Sequence, residues 1–352
     1  MAVISTGDDH EEQGRPSAWE AAWEVLAPVT DLVTPMAVRV AASLGLADLM
    51  AGDAVPADEL ARRSGSDADA LERLLRHLVC RGVFTEPEPG RFAVNEPAAL
   101  LASGHPSGMR AQLDLGGFGG QMDLAFAGLL HTVRTGRPGW ETVFGAPLWS
   151  YLAAHPEMRA SFDALMATGP DYVTDAAEGY DWSGVRHVVD VGGGTGIFLA
   201  ELLRAGPEMR ATLVDLPDTV DRGRRHLAER GLAARCEFAG QSFFDPLPTG
   251  GDVYVLRRVV HDWSDDEALL ILRRCADAAG PHGRVVVIDS HRSTDDPAGF
   301  TEMDLRMLVL NGGRERTVED YVALVARAGL GLASARRTAL GHVILDCTPP
   351  GA

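Results

Sequence analysis

The 352-residue sequence predicts an α/β protein in two parts, a mostly helical N-terminal half followed by a domain of alternating strands and helices. Three observations predict it. Up to about residue 182 the chain reads as apolar-rich helices interrupted by one Gly/Pro hairpin. From residue 185 short apolar runs alternate with helical segments, the pattern of an open, largely parallel sheet. The first of those runs, "VVDVGGGTGIF" at 188–198, leads into three consecutive glycines, where something must approach the backbone closely.

Residues 1–16 are polar and acidic, carry no signal-peptide apolar core, and are expected to be disordered. Residues 18–50 read as helices rich in Ala, Val and Leu. The stretch "TPMAVRVAASLGLADLM" is apolar almost all round, which predicts burial, including against another subunit. Next come a short helix, a Gly-containing turn, a helix capped by Ser66 or Asp67, and a Gly/Pro hairpin. That order is the order of a winged helix-turn-helix, with Glu72, Arg73, Arg76 and His77 as the polar positions of its second helix. Residues 98–182 are helical and supply apolar and aromatic groups for a pocket wall. Strands are expected at 187–191, 211–215, 235–239, 252–256 and 284–289, with helices at 196–205, 218–230 and 266–279. A helix at 317–328 and two final strands, "LASARRTA" and "GHVILDCT", close the chain. The boundary is expected near Gly184, giving a first domain of 17–183 and a second of 184–352.

Bulk composition narrows the function. Lys and Arg total 32, Asp and Glu 50, so the net charge of −18 repels a phosphate backbone and disfavours nucleic acid as a partner. The longest basic run, Arg222–Arg225, reads as a solvated helix face. No apolar stretch reaches the roughly 18 residues of a membrane span. Cys80, Cys236, Cys275 and Cys347 form no C-x-x-C pair, so zinc is not expected and the chain reads as a reduced cytoplasmic protein.

The glycine loop selects between two cofactors. A dinucleotide fingerprint wants a small third residue for close helix–strand packing, and Ile197 stands there. The loop instead reads Asp190-Val-Gly192-Gly-Gly194-Thr-Gly196. A carboxylate at the end of the first strand repels a pyrophosphate but suits the ammonium group of S-adenosylmethionine. Asp215, at the end of the second strand and 19 residues after Gly196, is placed to accept both ribose hydroxyls, a device shared with NAD enzymes.

Several segments resemble one family. "DVGGGTG", "GQSFFDPLP", "RRVVHDWSDDEALLILRRC" and "MDLRMLVLNGGRERT" are similar to the S-adenosylmethionine-dependent small-molecule O-methyltransferases of the plant phenylpropanoid and bacterial polyketide type. The resemblance runs from about residue 20 to residue 347. It implies a Rossmann-like class I methyltransferase domain, a mostly helical N-terminal dimerisation domain with a winged-helix core, and a homodimer formed through the N-terminal helices. The winged-helix pattern then becomes a scaffold rather than a DNA reader. "DLVTPMAVRVAASL" and "SFFDPLP" further resemble actinomycete enzymes acting on aromatic polyketides, which implies a naphthoate, an anthraquinone or a similar phenol as acceptor. The resemblance assigns Asp190, Gly192, Gly194, Asp215 and its neighbour Leu216 to the cofactor. It places Ser242 and Phe243 at the adenine, where the family often has an acid and a large apolar residue. Arg257 falls near the cofactor and Trp263 packs on the adenine.

A phenol has a pKa near about 10, so a base at the acceptor oxygen speeds transfer, typically by about 10²–10⁴-fold. His261, at the carboxyl end of the fourth strand, matches the family's catalytic histidine, and Asp289 and Glu315 match carboxylates flanking it. Trp149, Phe162, Met166, Met307 and Asn311 are the expected acceptor walls. Asp265, Asp266 and Glu267 read as a charged first helical turn, so metal-independent transfer is expected. The same scaffold also carries relatives that use the bound cofactor for hydroxylation or decarboxylation, and a non-catalytic winged-helix sensor is the remaining alternative.

Overall fold

The computed structural model describes residues 18–166, 170–290 and 296–349; the expected disorder of residues 1–16 lies outside them. Two compact units divide at Leu115/Gly116. The expected boundary near residue 184 marks the change from helices to strand–helix alternation. It does not divide the packing, because helices between residues 118 and 178 belong to the second unit.

The first unit opens with helices Ala18–Thr30 and Val33–Ser43. Asp31 separates them, its carboxylate accepting from the amides of Val33 (2.8 Å) and Thr34 (3.2 Å). Counted together, Trp19–Ser43 is long and apolar enough to cross a membrane by length and composition, which corrects the expectation that no stretch is. Asp31 interrupts the run, but the apolar residues on its two sides add up across the break. The segment "TPMAVRVAASLGLADLM" buries Ala37, Ala41, Ala42, Leu46, Ala47 and Met50 within this unit. The open apolar face is the preceding one, where Trp19, Trp23, Val25, Leu26, Val29, Leu32 and Val33 are exposed.

The winged helix forms as expected. Helices Ala57–Ser64 and Ala68–Cys80 accompany a three-stranded sheet in the order β1 (Val55–Pro56), β3 (Arg91–Ala93), β2 (Thr85–Glu88), its first strand preceding the helices and the other two following them. Asp67, not Ser66, is the cap, accepting from the Ala70 amide at 2.9 Å. The polar side chains of the second helix are already engaged. Arg76 pairs with Glu72 at 2.7 Å, Arg73 with Asp69 at 3.4 Å, and His77 contacts Thr34 at 3.0 Å. Cations neutralised on their own helix are poorly placed to bind phosphates.

The second unit holds a seven-stranded sheet. In chain order its strands are β4 (His187–Val191), β5 (Arg210–Asp215), β6 (Cys236–Gly240), β7 (Val253–Arg257), β8 (Arg284–Ser290), β9 (Gly331–Arg337) and β10 (His342–Thr348). They lie in the order β6-β5-β4-β7-β8-β10-β9. The first five are parallel, and β10 runs antiparallel to both β8 and β9. Side chains alternate between two buried layers, as the period of a strand demands. Val189, Tyr254, Leu256, Val285, Val287 and Leu345 enter one layer, with helices Asp265–Ala279 and Val318–Arg327. Val188, Val253, Val255, Val286, Ile288 and Ile344 enter the other, with helix Ile197–Ala205. Each fully buried Val, Leu or Ile contributes roughly 1.5–3 kcal/mol. Because β5 and β7 flank β4 on opposite sides, the chain reverses its winding at β4. A crevice therefore opens beyond its carboxyl end.

An aromatic cluster caps that end. Trp140 is fully buried, with its ring centroid 4.3 Å from Phe144, 5.5 Å from Tyr151 and 5.9 Å from Phe118. The cluster includes Met307 and Leu310 of helix Pro297–Asn311, an element the sequence reading did not single out. Among the described residues the Trp140 indole Nε1 has no hydrogen-bond partner, so the ring is held by packing. Trp140→Ala is expected to lower stability by about 3–5 kcal/mol in urea denaturation, and Trp140→Phe by clearly less. Equal losses would mean that the cluster does not depend on the size of this ring.

Candidate active site

The crevice is a cavity of about 350 Å³ within the second unit, lined at one end by the glycine loop and at the other by the aromatic cap. Gly192 and Gly194 have φ of 73° and 60°, the left-handed region that favours glycine. At Gly193 an added Cβ would lie 2.4 Å from Asp190 Oδ2, so the chain has no room there for a side chain.

Asp190 ends β4 beneath this loop. It is buried, and its Oδ2 has no hydrogen-bond partner among the described residues. Burial pushes its carboxyl up to about 7, Arg257 opposes the shift, and the nearby Asp215 adds to it. Asp215 ends β5 and accepts from the amides of Gly194 (2.9 Å) and Leu216 (2.7 Å). An orphaned buried carboxylate oxygen, a loop without side chains and a second fixed carboxylate together fit a ligand with one cationic end and vicinal hydroxyls. The residues thus suit S-adenosylmethionine.

Trp263 stands between the two ends. Its ring meets Phe243 edge-on at 5.7 Å and Phe244 at 4.9 Å, and is stacked at 6.4 Å with Trp149, which meets Phe162 at 5.8 Å. Ser242 lines the cavity, and its hydroxyl also accepts from the Phe244 amide at 3.2 Å. Arg257 lies with its guanidinium 5.5 Å over the Phe198 ring, and burial lowers its pKa to about 10, with Arg258 adding to the effect.

His261 sits in a tight turn, Val260–Asp262, directly beyond β7. Its Nδ1 lies 3.0 Å from Glu315 Oε1, and Asp289 Oδ1 is 3.7 Å away, outside hydrogen-bond range. Glu315 is therefore the direct partner. Asp289 acts through its charge, and its Oδ2 accepts from the Tyr321 hydroxyl at 2.8 Å. A carboxylate on Nδ1 fixes that nitrogen as the donor and leaves Nε2 for the cavity. Nε2 has no hydrogen bond among the described residues, and Asp262 Oδ1 lies 3.7 Å from it. Burial opposes protonation of the ring, but the charges of Asp289, Asp262 and Glu315 outweigh it and raise the pKa to about 9.

Of the expected site residues, the cavity wall gathers His261, all nine assigned to the cofactor, and Trp149, Phe162, Met166, Met307 and Asn311. Asp289 and Glu315 lie behind the histidine, buried at 1% and 3% exposure. Sequence reasoning missed Arg316. This buried guanidinium donates to the carbonyls of Val260 (2.8 Å) and Trp263 (2.9 Å) and to Asp265 (2.8 Å), clamping the turn that carries His261. Its signal was present in "GGRERT", where a charged residue precedes a helix cap. Asp163 was missed as well; it binds Arg159 at 3.1 Å and Arg222 at 2.7 Å, while Arg159 donates to Thr219 at 2.8 Å. Arg222–Arg225 is thus no plain solvated face. Arg222 ties helix Pro156–Met166 to helix Pro217–Glu229, and Arg224 lies 4.2 Å over Phe238.

Comparison with known proteins gives a consistent picture. A family model described as an O-methyltransferase domain matches residues 126–331, and one described as an O-methyltransferase dimerisation domain matches residues 29–104. The chain is 44% identical over 312 residues to the 2,7-dihydroxy-5-methyl-1-naphthoate 7-O-methyltransferase of Streptomyces carzinostaticus, covering 88% of this chain and 93% of the relative. It is 46% identical over 312 residues to the aclacinomycin 10-hydroxylase RdmB of Streptomyces purpurascens, covering 87% and 83%. The crystal structure of NcsB1, an O-methyltransferase from neocarzinostatin biosynthesis in complex with S-adenosylmethionine and 2-hydroxy-5-methyl naphthoic acid, superposes with a TM-score of 0.86 at 41% identity. That match covers 92% of this chain and 98% of NcsB1.

The raised pKa of His261 has a consequence for stability. The folded chain holds the ring proton more tightly than the unfolded chain does, so this contribution is complete below pH 6.5 and is lost as pH rises to about 9. The stability of the wild type relative to His261→Asn, measured by urea denaturation, is expected to fall across that window. A difference that stays flat would show that the folded ring is not a stronger base than a free one.

Proposed function

Because the chain belongs to the O-methyltransferase family, we propose that it methylates a phenolic hydroxyl of an aromatic polyketide-type metabolite, a naphthoate or anthraquinone, with S-adenosylmethionine as donor and His261 as general base. One observation carries this reading: the His261–Glu315 pair opens onto the same cavity as the glycine loop and Asp215. A relative named as a naphthoate O-methyltransferase and a neighbour bound to a naphthoic acid support the acceptor class.

The bound donor supplies an electrophilic methyl group on a cationic sulfur. The chain's own residues do the rest. Asp190, Asp215 and the glycine loop hold one end of the cavity, and Trp149, Phe162, Met166 and Met307 offer a flat apolar slot at the other. In-line displacement wants the acceptor oxygen about 3 Å from the methyl carbon, so the walls act by fixing orientation. His261 Nε2 receives the phenolic proton while Glu315 holds Nδ1 and stabilises the charged ring. The raised pKa favours the protonated ring in the free chain, and a cationic donor held in the same cavity would lower it. His261 thus reaches its accepting form more readily in the loaded site. Asp262 accepts from Asn311 at 3.1 Å on the cavity side of the ring.

A second reading draws on the 46%-identical relative that is named a hydroxylase. Mass spectrometry separates the two, since methylation adds a methylene to the acceptor and hydroxylation an oxygen. The exposed apolar face of the N-terminal helices supports a homodimer as the working form in the cytoplasm. Sedimentation of the full chain at twice the monomer mass is the expected result, and a monomer at micromolar concentration would reject it.

With a labelled methyl donor and a panel of hydroxylated naphthoates and anthraquinones, label is expected in an aromatic ether. His261→Ala is expected to cut turnover by roughly 10²–10⁴-fold while S-adenosylhomocysteine still binds. Unchanged turnover in that variant would remove the base assignment.

A further inference from the structure

β7 ends in one arginine and the chain continues with another, and the two differ in what they meet. Arg257 lies over the Phe198 ring, and its charge interacts with Asp190 beneath the glycine loop, which places it at the donor end. Arg258 follows it, lines the same cavity and precedes His261 by three residues. Its Nε is buried with no partner, and among the described residues its side chain makes no hydrogen bond and no ion pair.

Among the described residues no cavity acid forms an ion pair with Arg258, although the charge of Asp262 interacts with it. Asp163 is taken by Arg159 and Arg222, Asp215 by two backbone amides, Asp262 by Asn311, and Asp190 faces Arg257. The third cavity arginine, Arg159, is held by Asp163 and Thr219. Among the described residues neither Arg257 nor Arg258 makes a side-chain hydrogen bond or an ion pair, but Arg257 lies over Phe198 and interacts with the charge of Asp190, whereas Arg258 interacts with the charge of Asp262, beside His261. Its backbone is also unusual, with φ of 54°, one of two non-glycine residues in the left-handed region among the described residues. Such strain persists where the surroundings over-determine it, and it clusters at ligand sites. A half-buried guanidinium with no hydrogen-bonded anion is costly unless a ligand anion offsets it.

We infer that Arg258 binds a carboxylate substituent of the acceptor, so that the substrate is an aromatic hydroxy acid held by a guanidinium at one point and by His261 at another. This rests on the methyl-transfer reading. The guanidinium fork matches a carboxylate with two parallel hydrogen bonds, which orients a flat ring as well as retaining it. The apolar walls at Trp149 and Phe162 then fix the plane of the ring.

The test compares a hydroxynaphthoic acid with its methyl ester, using wild type, Arg258→Met and Arg258→Lys. Steady-state kinetics is paired with calorimetric binding of each compound and of S-adenosylhomocysteine. Arg258→Met is expected to raise KM and Kd for the acid by roughly 10- to 100-fold and to leave those for the ester unchanged, with Arg258→Lys intermediate. Three results would overturn the inference. An equal fall in kcat for acid and ester at constant KM would place the guanidinium at the reacting oxygen. Weaker S-adenosylhomocysteine binding with the acid preference intact would assign it to the donor's carboxylate. Wild-type binding of the acid no tighter than of the ester would also end it, and this needs no variant that folds. If neither compound is methylated, the reading beneath fails, and the binding comparison still decides the role of Arg258.

Discussion

The hydrogen bond between His261 Nδ1 and Glu315 Oε1 joins two segments that are 54 residues apart, and the site is organised around it. It forms only because the turn after β7 and the loop before helix Val318–Arg327 are stitched together along their backbones. The Arg314 amide donates to the His261 carbonyl at 2.8 Å, and Gly313 lies so close that a Cβ there would meet that carbonyl. Arg316 closes the seam. Three carboxylates then surround one imidazole in a buried space, which costs solvation but sets the ring's orientation and its affinity for a proton.

The sheet provides the frame in which this seam is useful. Five parallel strands bring the ends of β4, β5, β7 and β8 to one edge, so Asp190, Asp215, Arg257 and Asp289 converge although sequence separates them. None of these groups sits comfortably in an apolar interior. Their burial is tolerated because each is held by backbone amides, an opposing charge or an aromatic face. Asp190 has the opposing charge of Arg257, but its Oδ2 has no hydrogen-bond partner among the described residues.

Much of this was legible in the sequence, and the reasons are physical. Continuous apolar runs buried on both faces and Gly-bounded helices leave strong local signals, so the seven strands of the large sheet fall within two residues of expectation. The D-x-G-x-G loop and Asp215 are read from chemistry at fixed spacing. Two kinds of feature stayed hidden. Helix Pro297–Asn311 is apolar around much of its surface and lacks a clear amphipathic stripe. Long-range polar ties such as Arg316 to Val260 and Trp263, or Asp163 to Arg222, depend on which loops meet, and spacing along the chain does not encode that. The packing boundary at residue 115 escaped for the same reason, since the cap helices look like the helices before them but pack with the sheet that follows.

The fastening of the cap carries one more implication. Helix Pro156–Met166 bears Phe162 and Met166 on its cavity side, and polar contact with helix Pro217–Glu229 runs through Asp163, Arg159, Arg222 and Thr219. Its Ser161 hydroxyl also accepts from the Phe118 amide at 3.0 Å, and the rest of its attachment is aromatic and methionine packing. Oily contacts of this kind adapt to exchanges of similar volume, whereas the seam around the imidazole has little slack. The lineage is therefore free to reshape the slot for new ring systems by swapping wall residues, while the tether keeps each new slot in register with the sulfur.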